Sequence, residues 1–280
     1  MQPLEFIERS LASAKSMVKI ALQSRPLQTV KQKPEGGRVI IMGNGPSLAD
    51  NIREDLDFLR SAPSIAVNYA ALTPEFELIK PAYYVLADPH FFKEGASENQ
   101  QLLCERMRHI DWPVTLFVPA KYLHAARKMF TGVSEMATYN GVGVEGFEWL
   151  QNFAFGHGLG MPRPRNVLIP SIMTAISLGF KEIIILGADH SWTKSLDVSD
   201  SNEVVTVQPH FYAENEKEEQ RIRHVFKDTR LHTVLESFAI AFRSYHSIAA
   251  YAKKSGVDII NATPGSFIDA FPRRKVSELK

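Results

Sequence analysis

The sequence predicts an α/β fold organised around a parallel sheet. Runs of apolar residues without polar alternation, such as residues 39–42 and 182–186, are typical of strands covered on both faces. Helix-length segments with apolar residues at helical spacing stand between such runs. At 280 residues, with 45% hydrophobic residues, the chain is long enough for one large domain. We therefore expect a modified Rossmann-like parallel sheet with an N-terminal helix and a lid region.

The composition excludes several classes of protein. A formal net charge of +1 argues against broad electrostatic binding of nucleic acid. Cys104 is the single cysteine, which excludes an internal disulfide and a cysteine-rich zinc site and fits a reducing compartment. Glu5 and Glu8 near the start, with no long apolar run, argue against a signal peptide or a transmembrane segment. We expect a cytoplasmic protein, with a peripheral position at the inner face of the membrane as an alternative.

Residues 1–37 are predicted to be an amphipathic helix followed by a linker. Within residues 4–27, one face carries the apolar side chains Phe6, Ile7, Leu11, Ala14, Met17, Val18, Ala21 and Leu22. This face is expected to dock on the main domain or on a second subunit, which would make the protein a homo-oligomer. A membrane surface is the less favoured alternative, because the polar face is mixed in charge. Residues 29–37 are expected to be an exposed linker to the main domain, residues 38–274.

Residues 38–48, RVIIMGNGPSL, are predicted to form a strand, a glycine turn and the start of a helix. Gly43 and Gly45 leave no Cβ in the way of a ligand, and Pro46 suits the first turn of a helix. Amides of the turn, reinforced by the helix dipole, could bind a phosphate, and Asn44 and Ser47 could orient a nucleotide. A plain strand-to-helix turn is the alternative, because neither the full dinucleotide fingerprint nor a P-loop is present.

The remaining strands and helices follow in order. Strands are predicted at residues 64–67, 83–87, 114–118, 182–186 and 258–260, and helices at residues 52–59, 101–110, 122–130, 171–178 and 231–254. Asn68 and Asp88 directly follow two of these strands, and Asp189 and His190 come after a third strand and two small residues. In an open parallel sheet ligands gather beyond the carboxyl ends of the strands, so Asn44, Asn68 and Asp88 should converge on one edge.

Two stretches lack a clear pattern. Residues 131–165 are rich in glycine and aromatic residues and are predicted to be a loop-rich insertion beside the site. Its aromatic rings could stack on a base or a sugar, although core packing is an alternative for most of them. Residues 191–227 are polar, and we expect a lid that becomes ordered on substrate, with His210 and Tyr212 within it.

The edge residues predict acid–base or metal chemistry. Asp88 and Asp189 are candidate ligands of Mg²⁺, which is usually held by one or two carboxylates plus substrate phosphates, although both could simply brace loops. His190 and His210 could act as a general base or contact a phosphate, because imidazole titrates near neutrality. Neither a G-x-S-x-G elbow nor an HExxH motif is present, so a hydrolase triad or a zinc protease is not expected.

The motifs resemble two related groups of proteins. VIIMGNGPSL, Asn68 and the stretch SIMTAISLGFKEIIILGAD are similar to bacterial sialyltransferases that use a CMP-activated sugar. Together with Asp88-Pro89 and NATPGSFID, they resemble even more closely the 6-hydroxymethylpterin diphosphokinase-like family. Members of that family occur as pterin kinases and in bacterial surface-glycan gene contexts.

The resemblance implies roles for particular residues. Gly43, Asn44, Gly45 and Ser47 would hold the nucleotide phosphate and sugar, supported by Asn68 and Asp88. We expect a nucleotide-dependent transferase, first a sialyltransferase-like glycosyltransferase in bacterial surface-glycan (lipopolysaccharide) synthesis. It would take a nucleotide-sugar donor and a small-molecule or glycan acceptor.

Within that expectation, Asp189 orients the donor or a metal, and His210, beside Tyr212, deprotonates the acceptor hydroxyl. The alternatives are an Mg²⁺-dependent 6-hydroxymethyl-dihydropterin diphosphokinase, in which Asp88 and Asp189 hold the metal, and a nucleotide-binding protein without catalysis.

Overall fold

A seven-stranded parallel sheet forms the centre of the molecule. The structure is a computed structural model, and it describes residues 2–34, 36–95, 97–206 and 229–280. The strands are β1 Arg38–Met42, β2 Ser64–Val67, β3 Tyr83–Val85, β4 Thr115–Pro119, β5 Glu135–Tyr139, β6 Glu182–Leu186, β7 Leu196–Val198, β8 Val204–Thr206 and β9 Asp258–Asn261. The described α-helices are α1 Pro3–Gln23, α2 Ser47–Glu54, α3 Leu56–Arg60, α4 Glu75–Ile79, α5 Glu98–Arg108, α6 Leu123–Met129, α7 Glu148–Gly156, α8 Leu168–Leu178 and α9 Leu231–Lys254.

The strand order confirms the predicted α/β class. The large sheet runs β5-β4-β3-β2-β1-β6-β9, and all its neighbouring strands are parallel. The chain builds outward from β1 to β5 on one side and then returns to add β6 and β9 on the other. The strand order therefore reverses between β1 and β6, where Ile40 lies opposite Ile184. Open α/β sheets bind ligands beyond the carboxyl ends of the strands at such a reversal.

Each central strand contributes to two hydrophobic layers. In β1, Val39 and Ile41 belong to the core on one face of the sheet, and Ile40 and Met42 belong to the core on the other. All four side chains are buried. This explains the unbroken apolar run in the sequence, because successive side chains of a strand point to opposite faces and both faces are covered.

Residues 131–165 are more regular than the sequence predicted. They contain β5, which pairs with β4 at the edge of the sheet, and helix α7. Burial along β5 begins only at Ala137, so the strand lacks the continuous apolar run that marks the central strands. An edge strand that is half covered carries this weaker pattern. The prediction of a loop-rich insertion was therefore wrong for these two elements.

Part of the predicted lid is also folded. β7 and β8 form an antiparallel hairpin. Val204 of this hairpin packs with Val234 and Phe238 of α9. The predicted lid residues His210 and Tyr212 lie outside the described residues.

Helix α1 turns its polar side, and not its apolar side, toward the domain. Ser13 and Ser16 are its buried residues. The Ser16 hydroxyl donates to the Glu145 carbonyl at 3.0 Å, and the Ser13 hydroxyl accepts from the Phe147 amide at 2.9 Å. The apolar residues Leu4, Phe6, Ile7, Leu11, Met17, Val18 and Leu22 are exposed. Most of this apolar face does not dock on the main domain, so that expectation was wrong for the exposed residues. The helix is held by the two hydroxyl contacts, by Phe6 against Phe147 with ring centroids 5.5 Å apart, and by Ile20 against the core.

Both outer strands of the large sheet are met by a neighbouring segment. Beside β5, the Thr138 amide donates to the Gln28 carbonyl at 2.9 Å, and the Lys31 amide donates to the Glu135 carboxylate at 2.8 Å. Beside β9, the Asn261 amide donates to the Pro272 carbonyl at 2.9 Å. The start of the predicted linker therefore lies along the edge of the sheet. No described helix is long and apolar enough to cross a membrane.

Candidate functional site

The candidate site lies at the carboxyl ends of β1 and β6, where the strand order reverses. Two loops meet there, residues 43–47 after β1 and residues 187–190 after β6. The Gly43 amide donates to the Leu186 carbonyl and the Gly45 amide donates to the Gly187 carbonyl, both at 2.8 Å. These bonds continue the β1–β6 pairing beyond the strands and join the loops into one unit.

The glycines permit this close approach. A Cβ added to Gly43 would overlap the Gly187 carbonyl oxygen, and one added to Gly45 would overlap the Asp189 carboxylate. Gly187 has a φ of +64°, and its Cβ would lie 2.6 Å from the Gly43 carbonyl oxygen. The sequence predicted that Gly43 and Gly45 offer their amides and open space to a ligand. In the structure their amides are bonded within the protein, and the space beside them is filled by the β6 loop.

Ser47 and Asp189 connect the two loops through their side chains. The Ser47 hydroxyl donates to Oδ2 of Asp189 at 2.8 Å. Ser47 is the first residue of α2, so the Asp189 carboxylate stands at a helix N-terminus, where the helix dipole favours negative charge. Asp189 is partly buried. This pair brings a hydroxyl and a carboxylate together at the reversal point.

Asn44, Asn68 and Asp88 follow three adjacent strands, as predicted. Asn44 is buried, and its amide group donates to the Val67 carbonyl at the end of β2 at 3.4 Å. Asn68 has a left-handed backbone, with φ of +52°, and its carbonyl accepts from the Tyr84 hydroxyl at 2.5 Å. Both residues hold the strand ends together, which is the bracing role that asparagine takes in tight turns.

Asp88 and Asp189 follow strands that are not neighbours in the sheet. Their strands are three positions apart in the sheet, which corresponds to about 14 Å at the usual strand spacing. Asp88 is exposed, and its carboxylate accepts from the His90 amide at 2.8 Å, capping a 3-10 turn. The described residues contain no group of three or more His, Cys, Asp or Glu side chains that could hold a metal ion. Mg²⁺ dependence therefore stays a prediction.

His190 belongs to a hydrogen-bonded chain with Tyr245 and Asn166. Its Nε2 lies 2.6 Å from the Tyr245 hydroxyl, which donates to Oδ1 of Asn166 at 3.0 Å. The same Oδ1 accepts from the Leu168 amide at 3.0 Å, at the start of α8. The chain thus joins the loop after β6 to α8 and α9. Trp192 and Phe242 pack around the imidazole ring.

Polar atoms surround Nε2 of His190. Besides the Tyr245 hydroxyl, Nδ2 of Asn166 lies 3.5 Å from it. Burial lowers the pKa of His190 to about 3, and burial raises the pKa of Tyr245 above its ordinary value. His190 is therefore uncharged at neutral pH, and its predicted role as a general base or a phosphate contact stays a prediction.

Residues after β9 hold the β6 loop from a third side. The Ala188 amide donates to the Thr263 hydroxyl at 3.0 Å, and the Ser266 hydroxyl donates to the Ala188 carbonyl at 2.7 Å. The Asn261 amide group donates to Ser266 at 2.9 Å. Asn261, Thr263 and Ser266 are all buried. The sequence showed them only as the stretch NATPGSFID, and it gave no sign of the roles of Asn166 and Tyr245.

Comparisons with known proteins point to the fold alone. No family model matches the chain. No curated protein matches it either. Among solved structures, the MAf glycosyltransferase from Magnetospirillum magneticum AMB-1 matches with a TM-score of 0.51 and 14% sequence identity. The match covers 98% of this chain and 39% of the neighbour, so the chain spans about two-fifths of the neighbour's length. The chain therefore shares its fold with part of a glycosyltransferase.

Proposed function

We propose that the chain is a glycosyltransferase that takes a nucleotide-sugar donor at the β1–β6 edge. The contact between Ser47 and Asp189 carries this proposal. It sets a hydroxyl and a carboxylate at the point of the sheet where α/β folds bind ligands. The fold shared with the MAf glycosyltransferase supports the same reaction class.

The loops after β1 and β6 form a rigid binding surface for the donor. Their backbones are bonded to each other through Gly43 and Gly45, and the β6 loop is also held by Thr263 and Ser266. A rigid site loses little conformational freedom on binding, which favours affinity. We assign donor contacts to the exposed side of this unit, with Ser47 beside the nucleotide phosphate and Asn68 and Asp88 along the neighbouring strand ends. Asn44 is buried and supports these contacts by holding the end of β2.

The reaction needs a base for the acceptor. The acceptor hydroxyl oxygen forms a bond to the anomeric carbon, the bond from that carbon to the nucleotide phosphate breaks, and the hydroxyl proton passes to the base. His190 is a weak base because of its lowered pKa, so we propose His210, with Tyr212 beside it, for this role. Asp189 orients the donor.

The resemblance to sialyltransferases makes a CMP-activated sugar the first donor to test, with a bacterial surface glycan as acceptor. The protein should be screened by thermal shift with CMP, CDP, UDP, GDP, ADP and ATP, each with and without Mg²⁺, because a bound ligand stabilises the fold by mass action. Stabilisation by CMP, or by another nucleotide that carries a sugar in known donors, would support the proposal. Donor turnover with candidate acceptors would then be measured by release of the nucleotide.

Two outcomes would contradict the proposal. Stabilisation confined to ATP with Mg²⁺ would favour the diphosphokinase that the sequence motifs also allow. A second contradicting outcome is that the unmodified chain turns over no sugar donor and that its nucleotide binding survives Asp189→Ala. This result would favour a nucleotide-binding protein that lacks catalysis. The variant Asp50→Ala, at an exposed position of α2, serves as the control for the substitution itself.

A further inference from the structure

Helix α1 exposes a stripe of residues with seven-residue periodicity. Leu4, Leu11 and Val18 are spaced seven apart, and Ile7, Ala14 and Ala21 follow each of them by three. This is the pattern of a coiled-coil seam, in which the first group occupies the a positions and the second group the d positions. Leu4 is 68% exposed, Ile7 54%, Leu11 57% and Val18 58%. Exposed apolar residues scattered singly need no explanation, but a continuous seam along a helix indicates a contact surface.

The seam faces away from the domain. Ser13 and Ser16, on the other side of α1, are buried against residues 145–147. A Cβ at Gly146 would collide with Ser13, so the helix is seated directly on the backbone of this loop. The orientation of α1 is set by these hydroxyl contacts together with the contact of Phe6 with Phe147 and the packing of Ile20 on the core. The apolar seam is left on the outer surface of the molecule.

We propose that this seam binds the same seam of a second copy of the chain, in an antiparallel two-fold pair. The helix of 21 residues spans about 32 Å, or three heptads. In the antiparallel arrangement each a residue lies level with a d residue of the other copy. Leu4 then meets Ala21, Leu11 meets Ala14, and Ile7 meets Val18. Two of these layers place a large side chain against a small one, which allows close packing of the two helices.

The flanking charges fit the same arrangement. Glu8 and Lys15 both occupy e positions, beside the seam. In an antiparallel pair e residues face e residues, so Glu8 of each copy lies next to Lys15 of the other, and the two-fold axis repeats the contact. A parallel pair would instead place e residues opposite g residues, which here are Pro3, Ser10 and Met17. The charge pattern therefore favours the antiparallel pair.

The charges also favour a second copy over a membrane surface. Helices that lie on membranes carry lysine and arginine on the polar face, which attract anionic lipids. The charged residues of α1 are mixed in sign, with Glu5 and Glu8 as well as Arg9, Lys15 and Lys19, and Glu5 is paired with Arg9 at 2.8 Å. Acidic groups at this position oppose binding to an anionic surface.

Sedimentation equilibrium of the whole chain tests the proposal. We expect a monomer–dimer equilibrium, and Leu11→Glu should weaken the dimer at least about 100-fold, because it places two charges in the seam near the two-fold axis. Leu102→Glu is the matched control, since Leu102 is 50% exposed on helix α5. The control should leave the dimer unchanged. A monomer at all concentrations, or equal weakening by both substitutions, would overturn the proposal.

A charge exchange tests the orientation. Glu8→Lys and Lys15→Glu should each weaken the dimer about tenfold, because each replaces two attractive contacts with two repulsive ones. The double variant Glu8→Lys with Lys15→Glu should restore it. Additive weakening in the double variant would overturn the antiparallel pairing. Flotation of a monomeric chain with vesicles of phosphatidylcholine and phosphatidylserine would overturn the second copy in favour of a membrane.

Discussion

Gly45 lies so close to Asp189 that a single methyl group on its Cα would overlap the carboxylate. The same methyl carbon would lie 2.7 Å from the Gly187 carbonyl oxygen. The requirement for glycine in the GNG turn is therefore imposed by the loop after β6. The two loops are distant in sequence, since Ser47 and its partner Asp189 are 142 residues apart. Four expected outcomes follow from this and the neighbouring contacts.

Gly45→Ala should destabilise the protein by about 1–3 kcal/mol, because the two loops must separate to admit the added carbon. Chemical denaturation followed by fluorescence would measure the change in the free energy of unfolding. Gly141→Ala is the control, since its Cβ would meet no atom closer than 3.8 Å. Equal stability of the two variants would contradict the steric account of the GNG turn.

Asp189→Asn should reduce donor turnover at least about 100-fold while the fold is retained, because the amide keeps an oxygen that can accept from Ser47 but loses the negative charge. Turnover would be measured with the donor identified by thermal shift. Asp50→Asn, on the exposed side of α2, should leave turnover unchanged. Full activity of Asp189→Asn would show that the reaction does not require this carboxylate.

His190 should make stability dependent on pH. Its pKa is lowered from 6.5 to about 3, so below pH 6.5 the unfolded chain binds a proton that the folded chain does not. The stabilisation is complete above pH 6.5 and is lost as the pH falls towards 3. Between pH 7 and pH 5 the loss should be on the order of 2 kcal/mol.

The measurement compares the unmodified chain with His190→Asn, because asparagine tolerates the left-handed backbone at this position and does not titrate. The difference in unfolding free energy between the two should shrink by that amount as the pH falls from 7 to 5. A difference that stays constant would show that His190 titrates normally in the folded protein.

Thr263→Val should lower both stability and donor affinity. The valine keeps the shape of the side chain but leaves the Ala188 amide without its acceptor, which costs about 1–3 kcal/mol in a buried position. Thr73→Val is the control, because Thr73 is also buried and bonds to the Ala70 carbonyl at 2.9 Å, away from the β6 loop. It should lose stability but keep donor affinity. Equal affinity in both variants would contradict a role for Thr263 in holding the site.

The central elements could be predicted from sequence because their signals are local. The strand at residues 64–67 and the helix at residues 231–254 have the predicted bounds. The strand is a run of buried residues, and the buried residues of the helix recur at helical spacing. β5 and α7 were missed because β5 is a half-covered edge strand and glycines surround both elements. For α1, periodicity identified the helix, but it did not show that Ser13 and Ser16 would be its buried residues.

The site was predictable only in part. The polar residues after β1, β2, β3 and β6 could be placed on one edge, because parallel strands bring their carboxyl ends together. Their partners could not, since Ser47 and Asp189 are 142 residues apart, and Tyr245 and Asn166 are 79 apart. A single sequence contains no signal for such pairs. For the same reason the sequence could not show that Gly43 and Gly45 also serve the contact between the loops.

The segments along β5 and β9 have a consequence for handling the protein. An uncovered outer strand offers a row of amides and carbonyls to any other strand, and this is a common route to aggregation. Here Gln28 meets one outer strand and Pro272 meets the other. Removal of residues 1–31 or 270–280 would expose the amides and carbonyls of an outer strand, which could then pair with strands of other molecules. Versions shortened for crystallography or fusion should therefore retain both segments.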